Sequence, residues 1–199
     1  MSLVAILTDT HYGARKGAQY LHDYFEKFYS EVFFPTLKER GVKTILHLGD
    51  AFDSRKSIEY NSLQWTKRVV FDPMREYDVH MVVGNHDCYF KSTNRTNSPD
   101  LLLNDYDNVK TYSEPTEIEV NGDKILMLPW ICDDNLKRTK DLIKKTAGLM
   151  GKEVEVGSVP VLFAKIGAAI GSTIKGGGIT PTVIDVITMN EVVSQNADS

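Results

Sequence analysis

An α/β fold built on a largely parallel sheet is the fold class this sequence predicts, and three observations carry it. Short apolar runs at residues 3–8, 44–48 and 79–83 alternate with longer segments of helical pattern. That β-α-β-α-β order requires helical crossovers and parallel strands. Each apolar run ends in a polar motif: Asp9-Thr10-His11, Gly49-Asp50-Ala51-Phe52-Asp53 and Gly84-Asn85-His86-Asp87. Open α/β sheets carry their sites just past the carboxyl ends of strands, so this topology gathers the three motifs at one edge. With 199 residues, 42% hydrophobic and 25% charged, the chain has the material for a real core.

In chain order, residues 3–8 are expected to form a fully buried strand. A helical segment follows over 18–40, with Tyr20, Tyr24, Phe28 and Val32 near helical spacing and Gly41 closing it. Residues 44–48 form the second strand, ended by Gly49. Residues 59–77 are expected to be helical, and 79–83 (Val-His-Met-Val-Val) form the third strand. From Val109 the rhythm changes. Residues 109–112, 116–120 and 124–129 are short β-like runs, and Asn121-Gly122 is a hairpin signal between the last two. Residues 134–146 are a polar, lysine-rich helix whose cations fit a solvated face. Beyond Ala147 the composition shifts again. Phe163 is the last aromatic, Gly176-Gly177-Gly178 is a break, 159–170 are apolar, and 182–188 have the pattern of a strand. From Ser194 the pattern is that of a disordered tail. With so little large apolar surface, 147–199 is expected to pack loosely or to add strands to a second sheet.

A net charge of −4 argues against a molecule coated in basic surface, although a local basic groove remains compatible with it. The two cysteines, Cys88 and Cys132, fit free thiols in a reduced compartment, with a disulfide as the alternative. The start of the chain lacks the basic region of a signal peptide, and no apolar stretch reaches the length of a membrane span. Without export, the glycosylation pattern Asn94-Arg95-Thr96 has no use.

The three motifs carry the donors that a divalent metal takes in a mixed oxygen and nitrogen site. Asp9 and His11 flank Thr10, and in an extended strand end residues i and i+2 point to one side. Both are therefore expected to reach one ion. Asp50 follows Gly49, which lets backbone approach closely, and its carboxylate is suited to bridge two ions. Asn85 offers a neutral carbonyl oxygen beside His86. Any one motif alone is weak, and Gly-Asn-His-Asp also fits a turn closed by an Asx hydrogen bond. The order of all three after β-like runs is what points to a two-metal centre.

On these residues the chain resembles the calcineurin-like metallophosphoesterases. Within them it is most similar to the SbcD-type DNA-repair nucleases, which include the recombination endonuclease subunit of bacteriophages. Gly49-Asp50-Ala51-Phe52-Asp53-Ser54-Arg55-Lys56 carries the narrower match, supported by Gly84-Asn85-His86-Asp87 and Leu128-Pro129-Trp130. The resemblance covers about residues 3–146, the N-terminal part of a nuclease domain, and leaves 147–199 as a divergent tail. It implies a layered β-sheet with flanking helices, incomplete in its C-terminal half. It further implies Asp9 and His11 on a first metal, Asp50 bridging, Asn85 on a second, and His86 protonating the leaving oxygen or steadying the transition state. Asp53 either orients a neighbouring group or forms a salt bridge with Arg55 or Lys56. The implied metals are two manganese ions, the implied substrate is DNA, and the implied partner is an SbcC-type ATPase subunit, with a homodimer also possible. The implied location is cytoplasmic, in the host if the chain is phage-encoded.

The sequence departs from the family in one respect. The family's two later motifs supply three more histidines, whereas the five histidines of this chain are His11, His22, His47, His80 and His86. His22 lies on a helical segment, and His47 and His80 lie in strand patterns, where satisfied core histidines are expected. The expectation is thus a truncated nuclease with impaired activity, holding at most one ion firmly. Two alternatives stay open: a general phosphatase or phosphodiesterase of the same superfamily, and a non-catalytic remnant that binds DNA or a partner. Arg55, Lys56, Lys91 and Arg95 are the candidate substrate contacts. Tyr89-Phe90-Lys91-Ser92-Thr93-Asn94-Arg95 mixes aromatic and basic residues as a single-strand surface does, or is simply a solvated loop.

Overall fold

The computed structural model of the chain describes residues 3–149 and 151–153. Four parallel strands form one sheet in the order β1-β2-β3-β4: β1 (Val4–Leu7), β2 (Thr44–His47), β3 (Asp78–Val82) and β4 (Val109–Tyr112). Ala5 pairs with Ile45, Ile45 with Val79, and Val79 with Val109. The predicted parallel order therefore holds. The runs expected at 159–170, 182–188 and beyond Ser194 lie outside the described residues.

Burial follows position in the sheet. β2 is buried along its whole length, and Val79 and Met81 of β3 are 0% exposed. β1 corrects the expectation of a fully buried strand. It is an edge among the described residues, and its Ile6 is 66% exposed. An apolar run signals burial on both faces only where packed layers cover both, and cover is thinnest at an edge strand.

The segment expected to be one helix over 18–40 is three joined pieces. After a one-turn element α1 (Ala14–Gly17) come α2 (Gln19–Lys27), a π-helical stretch Phe28–Phe33, and α3 (Phe34–Glu39). Its core side is His22, Phe25, Tyr29 and Phe33, so the stripe Tyr20, Tyr24, Phe28 and Val32 faces outward. Two aromatic stripes share one helical period, and the wider π turn rotates one against the other. The segment 59–77 is likewise divided into α4 (Tyr60–Thr66), a π-helical stretch Lys67–Phe71 and a 3₁₀ turn Pro73–Glu76. Pro73 has no N–H to donate, so the α ladder cannot run through it.

After α5 (Ser98–Leu102) and β4, strands β5 (Thr116–Val120) and β6 (Asp123–Met127) form the antiparallel hairpin that Asn121-Gly122 signals. Asn121 and Gly122 have φ of 55° and 87°, as a two-residue turn matched to strand twist requires. Helix α6 (Leu136–Leu149) runs three residues beyond the expected end. The main core lies between the sheet and the helices and is rich in aromatics: Tyr12, Tyr29, Phe52, Trp65 and Phe71 pack together.

Two buried polar side chains of the sheet are satisfied by partners, one on each face. His80 bonds the Tyr112 hydroxyl at 2.7 Å and the Asp78 carboxylate at 3.0 Å. His47 is fully buried, and the Gly49 N–H donates to its Nδ1 at 3.2 Å. Nδ1 is therefore unprotonated and Nε2 carries the hydrogen, which it offers to Thr10 Oγ1 at 3.3 Å. Thr10 in turn donates to the Ala51 carbonyl at 3.2 Å. The relay ties the end of β2 to both neighbouring motif loops.

Burial pushes the His47 imidazole down to about 4. The unfolded chain then takes up the proton first as pH falls. The stability that neutral His47 contributes is complete above its ordinary pKa and is lost as pH falls through the folded value. In urea denaturation the native protein should lose on the order of 3 kcal/mol more between pH 7 and pH 4 than His47→Gln does. Identical pH dependence in the two proteins would contradict this assignment.

Candidate metal centre

Strand β1 ends at Leu7 and β2 at His47, and each chain then turns sharply. Asp9, His11 and Asp50 have φ of 49°, 45° and 51°, and Gly49 has 93°. Left-handed backbone at three non-glycine residues is costly and persists only where the surroundings enforce it. The enforcement is a short backbone ladder between the two loops. Asp9 N–H donates to Gly49 O at 3.3 Å, His11 N–H to Asp50 O at 3.1 Å, and Tyr12 N–H to Ala51 O at 2.8 Å. Asp53 N–H donates back to Tyr12 O at 3.1 Å.

This geometry corrects the premise that Asp9 and His11 align through extended i, i+2 alternation. They converge because the backbone kinks at both residues. The outcome still brings one ligand atom each from Asp9, His11 and Asp50 within 4.8 Å of one another. Asn85 joins them by lining the same concavity, about 370 Å³, with Asp9, Asp50 and Gly84. Leu128, Pro129 and Trp130 form its far wall.

The two histidines of the site stand edge to face, ring centroids 4.7 Å apart. His11 turns Nε2 toward Asp9 Oδ1 at 3.7 Å and Nδ1 toward Asp53 Oδ1 at 3.5 Å. That Nδ1 is buried and no full hydrogen bond satisfies it. A proton on Nδ1 facing Asp53 leaves the Nε2 lone pair directed at the acidic side. His86 is fixed through its other atoms. Its N–H donates to Asp50 Oδ1 at 2.8 Å, and its Nδ1 donates to the Asp53 carbonyl at 2.8 Å. Asp53 therefore pairs with neither Arg55 nor Lys56. It touches both histidines, one through its carboxylate and one through its backbone.

The donor set fits a divalent cation. Two carboxylates and an imidazole lone pair face each other, and among the described residues no lysine or arginine forms an ion pair with Asp9 or Asp50. Acceptors assembled this closely repel unless a proton or a metal lies between them.

Asp87, the last residue of the third motif, is the site's buried anchor. Its Oδ1 accepts from Ala51 N–H at 3.0 Å and Phe52 N–H at 3.2 Å, and its Oδ2 from Gly84 N–H at 2.9 Å. Burial pushes its carboxyl above the usual carboxylate range, while the N–H donors oppose that shift. Its bond to Gly84 runs back three residues, opposite in sense to the Asx turn expected of this motif, whose side chain takes the N–H two residues on.

The candidate substrate contacts divide into two pairs. Arg55 and Lys56 line a second cavity, which shares Phe52 and Asp87 with the metal-site loops. Lys91 and Arg95 line neither cavity, and Arg95 forms an exposed ion pair with Asp134 at 3.5 Å. Asn94 is buried and donates to the carbonyls of Ser113 and Trp130, so it is no surface acceptor. Cys88 and Cys132 are free and buried, and burial pushes the Cys88 thiol up to about 12. No helix among the described residues is long and apolar enough to cross a membrane.

Two comparisons bear on this centre. A family model described as calcineurin-like phosphoesterase matches residues 2–165, which runs past the expected boundary at 146. Exonuclease subunit 1 of Enterobacteria phage T4 is 32% identical over 112 residues, or 55% of this chain. The matched part spans 33% of that relative's length.

Removing the anchor should cost fold stability before it costs chemistry. Asp87→Ala strands three amides, two of them fully buried, and should lose about 3 kcal/mol in urea denaturation. Asp87→Asn keeps one carbonyl oxygen and should lose roughly half of that. Loss below about 0.5 kcal/mol for the alanine variant would overturn the anchoring role.

Proposed function

The chain belongs to the calcineurin-like phosphoesterase family, and from that premise we propose that it is a metal-dependent phosphodiester hydrolase acting on DNA, of the recombination or repair nuclease type. The observation that carries this reading is the convergence of Asp9, His11 and Asp50 beside His86 at the carboxyl edge of the sheet. In this reading Asp9, His11 and Asp50 hold the first cation, while Asp50 and Asn85 are the protein's ligands to a second. Manganese suits so mixed a donor set. A bound divalent cation supplies Lewis acidity toward a phosphoryl oxygen and lowers the pKa of water.

The chain's own residues do the rest. His86 has its Nδ1 committed to the Asp53 carbonyl, so proton transfer to a leaving oxygen is confined to Nε2. The Asp53 carboxylate fixes the tautomer of His11, as carboxylates beside metal-bound histidines do. The resemblance to an exonuclease subunit supports a larger assembly, with an SbcC-type ATPase as the partner and a second copy of the chain as an additional one. Arg55 and Lys56, which line the cavity shared with Phe52 and Asp87, serve the nucleic-acid backbone or base; Lys91 and Arg95 would extend that contact outward.

Asp50 and Asn85 are the donors that the described residues offer a second cation, and so small a ligand set supports weak holding of it. Titration with manganese, followed by elemental analysis, should give one firmly bound ion per chain and slow cleavage of a nucleotide phosphodiester reporter. His86→Ala should retain that ion and lower the residual rate by roughly 10²–10⁴-fold. Asp50→Asn should lose ion and activity together. Two firmly bound ions with robust turnover would reject the impaired centre. No bound ion at all would reject the hydrolase.

A further inference from the structure

The second cavity, about 190 Å³, lies against the metal-site loops. Phe52 and Asp87, each one residue from a member of the centre, line it directly. Phe52, Ile58 and Leu102 give it apolar walls, and Arg55, Lys56 and Tyr89 supply its distinctive chemistry. The Arg55 Nη1 is buried and makes no hydrogen bond. A guanidinium donor taken from water without an acceptor is a standing cost, and it is relieved by a ligand that presents one. Tyr89 is 42% exposed, and the Lys56 ammonium lies 6.0 Å from its ring centroid. An exposed aromatic face beside a cation is the pairing on which single-stranded nucleic acid stacks.

The dimensions select among ligands. The volume is below the roughly 300–1,000 Å³ of pockets for drug-sized molecules, so it suits a single ring system. Apolar walls disfavour a bare phosphate, which would be desolvated against Phe52 and Ile58. A base inside a duplex cannot enter, because its faces are already stacked.

We infer that this cavity is a base-accepting subsite that takes one unstacked base of single-stranded DNA, with Arg55 meeting its acceptor edge and Tyr89 stacking on its face or its neighbour's. The inference rests on the nuclease reading and adds a substrate form to it: a strand end or melted segment rather than intact duplex. Guanine, with adjacent O6 and N7 acceptors, is the base that an arginine fork matches best.

The test is equilibrium binding by fluorescence anisotropy in calcium, using the full chain. The probes are a labelled thymidine oligonucleotide with one central guanine and the same strand with an abasic site in its place. The native protein should favour the guanine strand by about tenfold, the scale of one stacked base. Arg55→Ala should bring that ratio close to one. Leu101→Trp should do the same, by filling the cavity from an exposed position that asks nothing of the core. A ratio near one in the native protein, with both strands bound, overturns the subsite and leaves the nuclease reading standing. So does an unchanged ratio in both variants. Failure of the native protein to bind either strand rejects the nuclease reading and the subsite together.

Discussion

The buried carboxylate of Asp87 is the constraint on which the centre depends. Three backbone N–H groups from two different loops converge on it, at 2.9 to 3.2 Å. The loop after β2 and the loop after β3 are thereby held as one body. Their approach is possible only because both carry glycine at the contact. A side chain at Gly49 would lie 2.7 Å from the Gly84 Cα, and one at Gly84 would run into Asp50 itself. Close backbone contact sets where Asp50 stands, and Asp87 keeps the contact closed. A buried carboxylate is expensive unless its oxygens are satisfied, so the anchor and its donors stabilise each other.

The candidate metal ligands gain rigidity from their neighbours in sequence. His11 faces the site while Tyr12, next along the chain, is 2% exposed and packs against Phe52, Trp65 and Phe71. Its hydroxyl also meets that of Tyr29, which the π-helical stretch carries into the core. Phe52 is equally buried, and Asp53 follows it back to the site. The first two motifs thus set residues for packing directly beside residues of the site. The left-handed strain at Asp9, His11 and Asp50 is supported by this aromatic floor and by the backbone ladder above it.

Much of this was legible in the sequence because strand order and strand-end placement are properties of periodicity. The three parallel strands, the Asn121-Gly122 hairpin and the gathering of the motifs at one edge all follow from it. What was not legible depends on partners remote in sequence. Ile6 has the pattern of a buried residue, yet its strand is an edge among the described residues. Tyr20 and Tyr24 keep helical spacing, yet the opposite stripe of Phe25 and Tyr29 faces the core. A pattern fixes the period of a face but not which of two apolar faces turns inward. The backbone kink at Asp9 escaped for the same reason, since it is imposed by Gly49 and Asp50 across the sheet.

Asp53 shows how one residue can couple two kinds of chemistry. Its carboxylate stands 3.5 Å from His11 Nδ1, and its carbonyl accepts from His86 Nδ1 at 2.8 Å. In the proposed hydrolase the first interaction would aim a ligand lone pair, and the second would leave Nε2 of a neighbouring imidazole for proton transfer. Both rings therefore take their orientation from the same point, which the Tyr12 carbonyl fixes by accepting the Asp53 N–H. A side-chain change at 53 removes only the carboxylate and spares the carbonyl, so the two functions can be separated although one residue serves both. The backbone half is also the harder to lose, because it needs only that the loop stay closed. That returns the argument to Asp87, whose Oδ1 holds the amide of Phe52 immediately before Asp53.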